Sequence, residues 1–277
     1  MKVVLFCGGQ GLRLREAAGA VPKPLVRIGP HVLLLHLMRY YAHHGHRDFV
    51  LCLGHQAEVF RHYFSRGEGQ QALAAGWRVS CVDTGLHTNL GGRLLAVREH
   101  LAGEAEFLVN YADVLTDLPL PELLAAFRQQ GGVAGFLAYQ PTQSFHVVAF
   151  GAGDLVQSIA PIASAGLWVN AGFMVLKSTI FDYLQPGEEL VEQPFQRLLA
   201  EGQLMAYRYR GFWAAMDTPK DKLALDQLQA QGRPPWEVWP PDADANAAAA
   251  AGAVGRLARA WQQELRARFR RPGLRLA

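Results

Sequence analysis

A short apolar run, Val3-Val4-Leu5-Phe6-Cys7, stops abruptly at Gly8-Gly9-Gln10-Gly11, three glycines within four residues. An apolar run without alternation reads as a buried strand, and the sequence beyond it must turn at once. Gly8, Gly9 and Gly11 carry no Cβ, so the backbone can fold back tightly and bring its N–H groups close to an anion. Arg13 follows with a planar, permanently charged fork suited to phosphate oxygens. Lys23, held between Pro22 and Pro24, adds a mobile point charge. The stretch reads as a grip for a polyphosphate.

Two other phosphate loops are excluded. A Walker loop would end in Gly-Lys-Ser/Thr, which is missing. A dinucleotide fingerprint needs a glycine where Leu14 stands and has no use for Arg13 inside the turn, which argues against an NAD-dependent oxidoreductase.

The net charge of +3 is misleading. Residues 256–277 hold seven arginines and one glutamate, a surplus of six, so residues 1–255 carry −3. The body therefore lacks the basic footprint of a nucleic-acid binder. No apolar run is long enough to span a bilayer. Met1-Lys-Val-Val-Leu-Phe lacks a small-residue cleavage site, so no signal peptide is expected. Cys7, Cys52 and Cys81 are odd in number and each falls in an expected buried strand. They read as reduced core residues of a cytoplasmic protein.

Through the first half, β-rich runs alternate with helical patterns, the mark of βαβ units and a mainly parallel sheet. Strands are expected at 3–7, 49–53, 78–82, 107–110 and 133–139, and helices at 32–44 (ended by Gly45), 56–64, 92–101 and 120–130. From Val147 the strands come closer together, at 147–150, 155–159, 169–176 and 204–209, with a hairpin signal at Gly151-Ala-Gly-Asp154. At 277 residues the chain can bury roughly three quarters of its unfolded surface, ample for one large α/β domain. Residues 1–233 are read as that domain, the Pro- and Ala-rich 234–255 as a linker pinned by Trp236 and Trp239, and 256–277 as a helix. Leu257, Trp261, Leu265 and Phe269 recur every four residues there, giving an amphipathic helix with an arginine-rich face. Docking on its own domain or on a partner subunit of a homo-oligomer is the expectation; a membrane surface is the alternative.

Asp113 follows the apolar run Phe107–Val109, where a parallel strand leaves the sheet, and open α/β sheets bind ligands at that end. Asp217 immediately precedes a helix start at which Thr218 can be the N-cap and Pro219 the first residue. Either aspartate alone reads as a turn or cap residue; together, aimed at a triphosphate, they could hold Mg²⁺. His43-His-Gly-His46 is read as an ordinary helix end, not a metal site, and Trp168, Phe212 and Trp213 as core or pocket wall.

The glycine loop with Arg13 and Pro22-Lys23-Pro24 resembles the Gly-Gly-x-Gly-Thr-Arg-Leu…Pro-Lys-Pro signature of sugar nucleotidyltransferases, and among them glucose-1-phosphate cytidylyltransferases. Lys23-Pro-Leu-Val-Arg-Ile-Gly29, Val82-Asp-Thr-Gly85, Gly91-Gly-Arg-Leu94, Val169-Asn-Ala-Gly172 and Gly211-Phe-Trp-Ala-Ala-Met-Asp-Thr218 agree in order. The resemblance covers residues 1 to about 239 and implies a Rossmann-like α/β fold: a mixed, mainly parallel sheet flanked by helices, with a small β-rich subdomain on the sugar side. It implies transfer of a nucleoside monophosphate from CTP to glucose 1-phosphate with release of pyrophosphate, in sugar-nucleotide and polysaccharide biosynthesis. Arg13, Lys23 and Asp113 would be catalytic; Gly8, Gly9, Gly11, Arg13, Lys23, Gly91 and Gly92 would bind nucleotide. Asp113 and Asp217 would hold Mg²⁺, and Asn170, Gly172 and His146 would meet the sugar.

Departures from the pattern are uneven. Leu12 and Leu90 stand where threonines are expected, and Ala112-Asp113-Val114 replaces Gly-Asp-Gly. The Glu-Lys-Pro that grips the sugar phosphate is absent, its place taken by Ser158-Ile-Ala-Pro-Ile-Ala-Ser-Ala165, and His146 replaces a glycine. An unpaired anion in a closed pocket is expensive, so His146, Arg208 or Arg210 is expected to substitute. The same loss favours a second reading, a paralogue that binds nucleotide or nucleotide-sugar without turning it over.

Overall fold

The computed structural model describes residues 1–9, 21–142 and 145–240. The glycine loop beyond Gly9, including Gly11 and Arg13, and everything after Pro240 lie outside the described residues, as does the expected C-terminal helix.

The strands are β1 (Val3–Phe6), the two-residue β2 (Arg27–Ile28) and β3 (His31–Val32), β4 (Asp48–Leu53), β5 (Arg78–Asp83), β6 (Glu106–Tyr111) and β7 (Val114–Thr116). After them come β8 (Ala134–Tyr139), β9 (His146–Phe150), β10 (Val156–Pro161), β11 (Val169–Asn170), β12 (Met174–Lys177), β13 (Leu204–Tyr209) and β14 (Trp213–Ala215). The helices are α1 (Leu33–His43), α2 (Ala57–Phe64), α3 (Gly67–Ala74), α4 (Leu90–Ala96), α5 (Leu120–Gln130), α6 (Gln193–Ala200) and α7 (Pro219–Ala230).

Eight strands make the central sheet. β1 lies between β4 and β6, parallel to both, and β5 extends the parallel half to an edge. On the other side β12 runs antiparallel to β6 and β8, β11 continues along β8, and β13 pairs with β8 in parallel. Of the second-half strands β11, β12 and β13 thus join the main sheet, β14 pairs with β7, and β9 and β10 form a separate antiparallel ribbon.

Apolar continuity in the central strands has a simple cause. Val3 and Leu5 of β1 face one hydrophobic core while Val4 and Phe6 face the other, and β4 and β6 alternate in the same way. Helices α1, α2 and α5 cover the first face; α4 and α6 cover the second. Full burial of a side chain such as Leu5 or Leu108 contributes about 1.5–3 kcal/mol.

Three expectations need adjustment. Helix α4 starts at Leu90, two residues before the expected Gly92, because Asn89 is its N-cap and accepts from Gly92 N–H at 2.8 Å. It stops at Ala96, and Arg98–Leu101 is a 3₁₀ turn. The strand expected over 169–176 breaks at 171–173, where Gly172 has φ +75° and Phe173 φ +45°. The buried Asn110 side chain fills that break, accepting from Phe173 N–H and donating to the Tyr41 hydroxyl. Finally, Cys7 and Cys52 are buried, but Cys81 is partly exposed because β5 is an edge strand.

Residues 234–240 pack onto the domain. Trp236 is fully buried and donates its indole N–H to His36 Nδ1 at 3.2 Å, while His36 Nε2 donates to the Ile28 carbonyl. Trp239 is also buried.

Candidate active site

A cleft of about 630 Å³ opens at the carboxyl ends of β1 and β6, lined by Gly8, Gly9, Lys23, Arg93, Asp113 and Asp217 among others. That is where a parallel sheet of this kind presents its loops to ligands. Lys23 opens a 3₁₀ turn whose neighbour Pro24 is buried, which fixes the direction of the lysine stem. Its Nζ donates to Asp113 Oδ2 at 2.6 Å and to Asp217 Oδ1 at 2.7 Å.

Two carboxylates 104 positions apart in sequence thus converge on one ammonium. Backbone pairing explains it. β14 runs antiparallel to β7 with Ala215 opposite Val114, and Met216 N–H donates to the Asp113 carbonyl at 2.9 Å. Asp113 therefore sits one step before the ladder and Asp217 two steps past its other strand. Thr218 then caps α7, in a reciprocal capping box with Asp221 and with Pro219 at the helix start, as expected. Asp221 Oδ2 also accepts from Asp217 N–H, so the Asp217 main chain is fixed while its carboxylate turns to Lys23.

The residues fit a divalent ion of the hard, oxygen-seeking kind. Two carboxylate oxygens already converge on a single cationic atom, the lysine ammonium standing where such an ion would sit. Among the described residues no group of three or more His, Cys, Asp or Glu side chains could hold a metal. Phosphate oxygens and water would therefore have to complete the shell.

Sequence reasoning missed Arg93. This guanidinium is buried beside the glycine turn and donates to the Leu53 carbonyl, the Thr84 hydroxyl and the Gly8 carbonyl. Burial lowers its pKa, opposed by the nearby Cys52, Cys7 and Asp83; arginine nevertheless stays charged. A Cβ on Gly8 would overlap the guanidinium, so this glycine is required by a close approach. The available signal was a cation directly after Gly91-Gly92 in an otherwise apolar helix.

Other sequence-selected residues are placed as follows. Gly91 and Gly92 lie in the first turn of α4, where a Cβ on Gly91 would collide with the Glu188 carbonyl. Asn170 and Gly172 sit at the break between β11 and β12 and are not among the described cleft-lining residues; Asn170 Oδ1 accepts from Gly172 N–H, and Gly172 packs against the ring of Tyr111, which lines the cleft. His146 is exposed on β9 and is not among the described cleft-lining residues. Arg208 is exposed on β13, and Arg210 lies over the Trp168 ring at 5.4 Å. Trp213 donates to the Ala171 carbonyl and packs on Tyr139, and Phe212 packs on Trp236, so both are structural.

The sequence profile described as nucleotidyl transferase matches residues 2–227. The chain belongs to the nucleotidyl transferase family. It is 33% identical over 256 residues to a glucose-1-phosphate cytidylyltransferase of Salmonella typhimurium, covering 86% of this chain and all of that one. A probable mannose-1-phosphate guanylyltransferase of Oryza sativa subsp. japonica is 28% identical over 243 residues, covering 83% of this chain and 66% of the relative. Among solved structures, UTP-bound UGPase from Acinetobacter baumannii superposes with a TM-score of 0.64 at 19% identity, covering 85% of this chain and 95% of that one. This last likeness speaks for the fold, a mixed, mostly parallel sheet with flanking helices. No described helix is long and apolar enough to cross a membrane.

Proposed function

We propose that this nucleotidyl transferase joins a sugar 1-phosphate to a nucleoside triphosphate with Mg²⁺, and that CTP and glucose 1-phosphate are its substrates. The observation that carries the reading is the Lys23 ammonium held between Asp113 and Asp217 beside Gly8 and Gly9. The pairing of CTP with glucose 1-phosphate rests on the 33% identity to the Salmonella protein and is the finer part of the reading.

In the reaction a sugar phosphate oxygen attacks the α-phosphorus in line; one P–O bond forms, the α–β bridging P–O bond breaks, and pyrophosphate leaves. Such transfers depend on positioning and on neutralising charge. Mg²⁺ at Asp113 and Asp217 would supply charge neutralisation on the phosphate oxygens. Lys23, braced by Pro22 and Pro24, holds the α-phosphate region once released from its carboxylates. Arg13 takes the β- and γ-phosphates, and Gly8, Gly9 and Gly11 offer backbone donors. Arg93 keeps the glycine turn in place from beneath.

Pyrophosphate release measured with CTP, UTP, dTTP, ATP and GTP against a panel of sugar 1-phosphates tests the reading. CTP with glucose 1-phosphate is expected to turn over fastest. Nucleotide binding without pyrophosphate from any pair would instead establish the second reading, a binding paralogue. The observation favouring that reading is the ribbon β9–β10, exposed throughout most of its length and without acid or base from Val156 to Pro161.

A further inference from the structure

One carboxylate at the cleft has no part in the scheme above. Glu189 lines it from the loop before α6. Its Oε2 accepts from Leu90 N–H at 3.3 Å, at the start of α4. Its Oε1 is buried and has no hydrogen-bond donor among the described residues. A buried carboxylate oxygen without a donor is costly, and such an atom at a ligand cleft calls for a donor brought by the ligand.

The loop is held, so the carboxylate is aimed. Asn89 Nδ2 donates to the Gly187 carbonyl at 2.8 Å, Arg197 pairs with Glu188, and the Glu188 carbonyl fills the space that Gly91 leaves open. Tyr111, at the end of β6, lines the same cleft as Glu189. A phenol can both donate and accept a hydrogen bond, and Asn170 lies close by, bonded to Gly172, which packs against the Tyr111 ring. A carboxylate, a phenol and an amide together suit a ligand rich in hydroxyl groups and repel a phosphate.

Position separates the two halves of the ligand. The glycine turn and the segment Leu86–Asn89 follow β1 and β5, on one side of the sheet's centre. Tyr111 and Asn170 belong to β6 and β11, across β1 from that side; Asp113 and Glu189 stand at the join, Glu189 bonded to Leu90 on the first side and lining the cleft with Tyr111 on the second. We propose that Glu189 determines acceptor specificity by taking hydrogen bonds from ring hydroxyls of the sugar, with Tyr111 and Asn170 completing the polar wall. Glu189 thereby furnishes the acid that the 158–165 segment lacks. This rests on the nucleotidyltransferase reading.

The test compares CDP-glucose with CDP by isothermal titration on wild type, Glu189→Ala and Glu189→Gln, full chain throughout. Glu189→Ala is expected to weaken CDP-glucose about 10- to 100-fold, the size of a lost hydrogen bond to a charged group, and CDP less than about 2-fold. Glu189→Gln keeps an acceptor for Leu90 N–H and should recover part of the loss. A purely structural role would weaken both ligands alike, because α4 also carries Arg93. Equal losses for the two ligands, or an unchanged affinity for CDP-glucose, would overturn the assignment of Glu189 alone. Wild-type protein that binds neither ligand would overturn the reading of CTP and glucose 1-phosphate as substrates, and this inference with it.

Discussion

Lys23→Met removes the ammonium between Asp113 and Asp217 while keeping most of the aliphatic stem. The lysine side chain is 13% exposed and the two carboxylates 29% and 37%. Each contact therefore lies between an exposed ion pair, worth about 0–1 kcal/mol, and a buried one, whose breaking costs about 3–5 kcal/mol. A loss of about 2 kcal/mol for the unliganded protein is the reasonable middle, and for a chain of this size it lowers Tm by about 4–8 °C. Without the lysine the carboxylates repel each other, so the variant should gain more from Mg²⁺ than the wild type does. In differential scanning fluorimetry, Mg²⁺ alone should raise the Tm of Lys23→Met by several degrees and leave the wild type almost unmoved. Turnover should nevertheless fall, by about 10²–10³, since the phosphate-facing cation is gone. Equal Mg²⁺ shifts in both proteins would refute the claim that ammonium and divalent ion share one place.

Further outcomes follow from the same geometry. Burial holds His36 down to about 3, and the unfolded chain binds that proton near pH 6.5. Unfolded protein thus binds more protons below pH 6.5, and stability should fall as pH drops from there toward 3, by at most about 1.4 kcal/mol per unit for this group. Urea unfolding at pH 6.5 and 5.5 should show His36→Gln losing about 1 kcal/mol less than wild type; equal losses would contradict the assignment. Arg93→Met removes the charged donor shared by the Leu53, Thr84 and Gly8 acceptors, of which Leu53 keeps the Thr84 N–H and Gly8 the His55 N–H, so thermal unfolding should show a loss of about 1.5–3 kcal/mol, and nucleotide affinity should drop with it. Gly91→Ala forces a Cβ against the Glu188 main chain and should displace the loop carrying Glu189, impairing CDP-glucose binding more than CDP binding in titration calorimetry.

What could be read from the sequence follows the physics of burial. β1, β4 and β6 were legible because a parallel strand with a core on each face must be apolar at every position. The end of α1 was legible because Gly45, at φ +85°, needs a conformation other residues resist. Asp113 and Asp217 could be singled out, but their meeting could not, since it depends on the β7–β14 register. Arg93 and Glu189 were hidden for a related reason. One looks like an ordinary helix charge and the other like a surface loop acid until the docking of 185–189 on α4 is known. The gap between β11 and β12 escaped pattern reading because a remote side chain, Asn110, fills it.

The short β7–β14 ladder acts as a caliper. It sets the separation of two acidic groups by main-chain pairing, so the identities of the flanking side chains matter little to that distance. Ala112 and Val114 can consequently stand where the resemblance leads one to expect glycines, each tucked inside with 2% exposure, without the jaws opening. Sequence drift around an invariant measurement is what such a device permits.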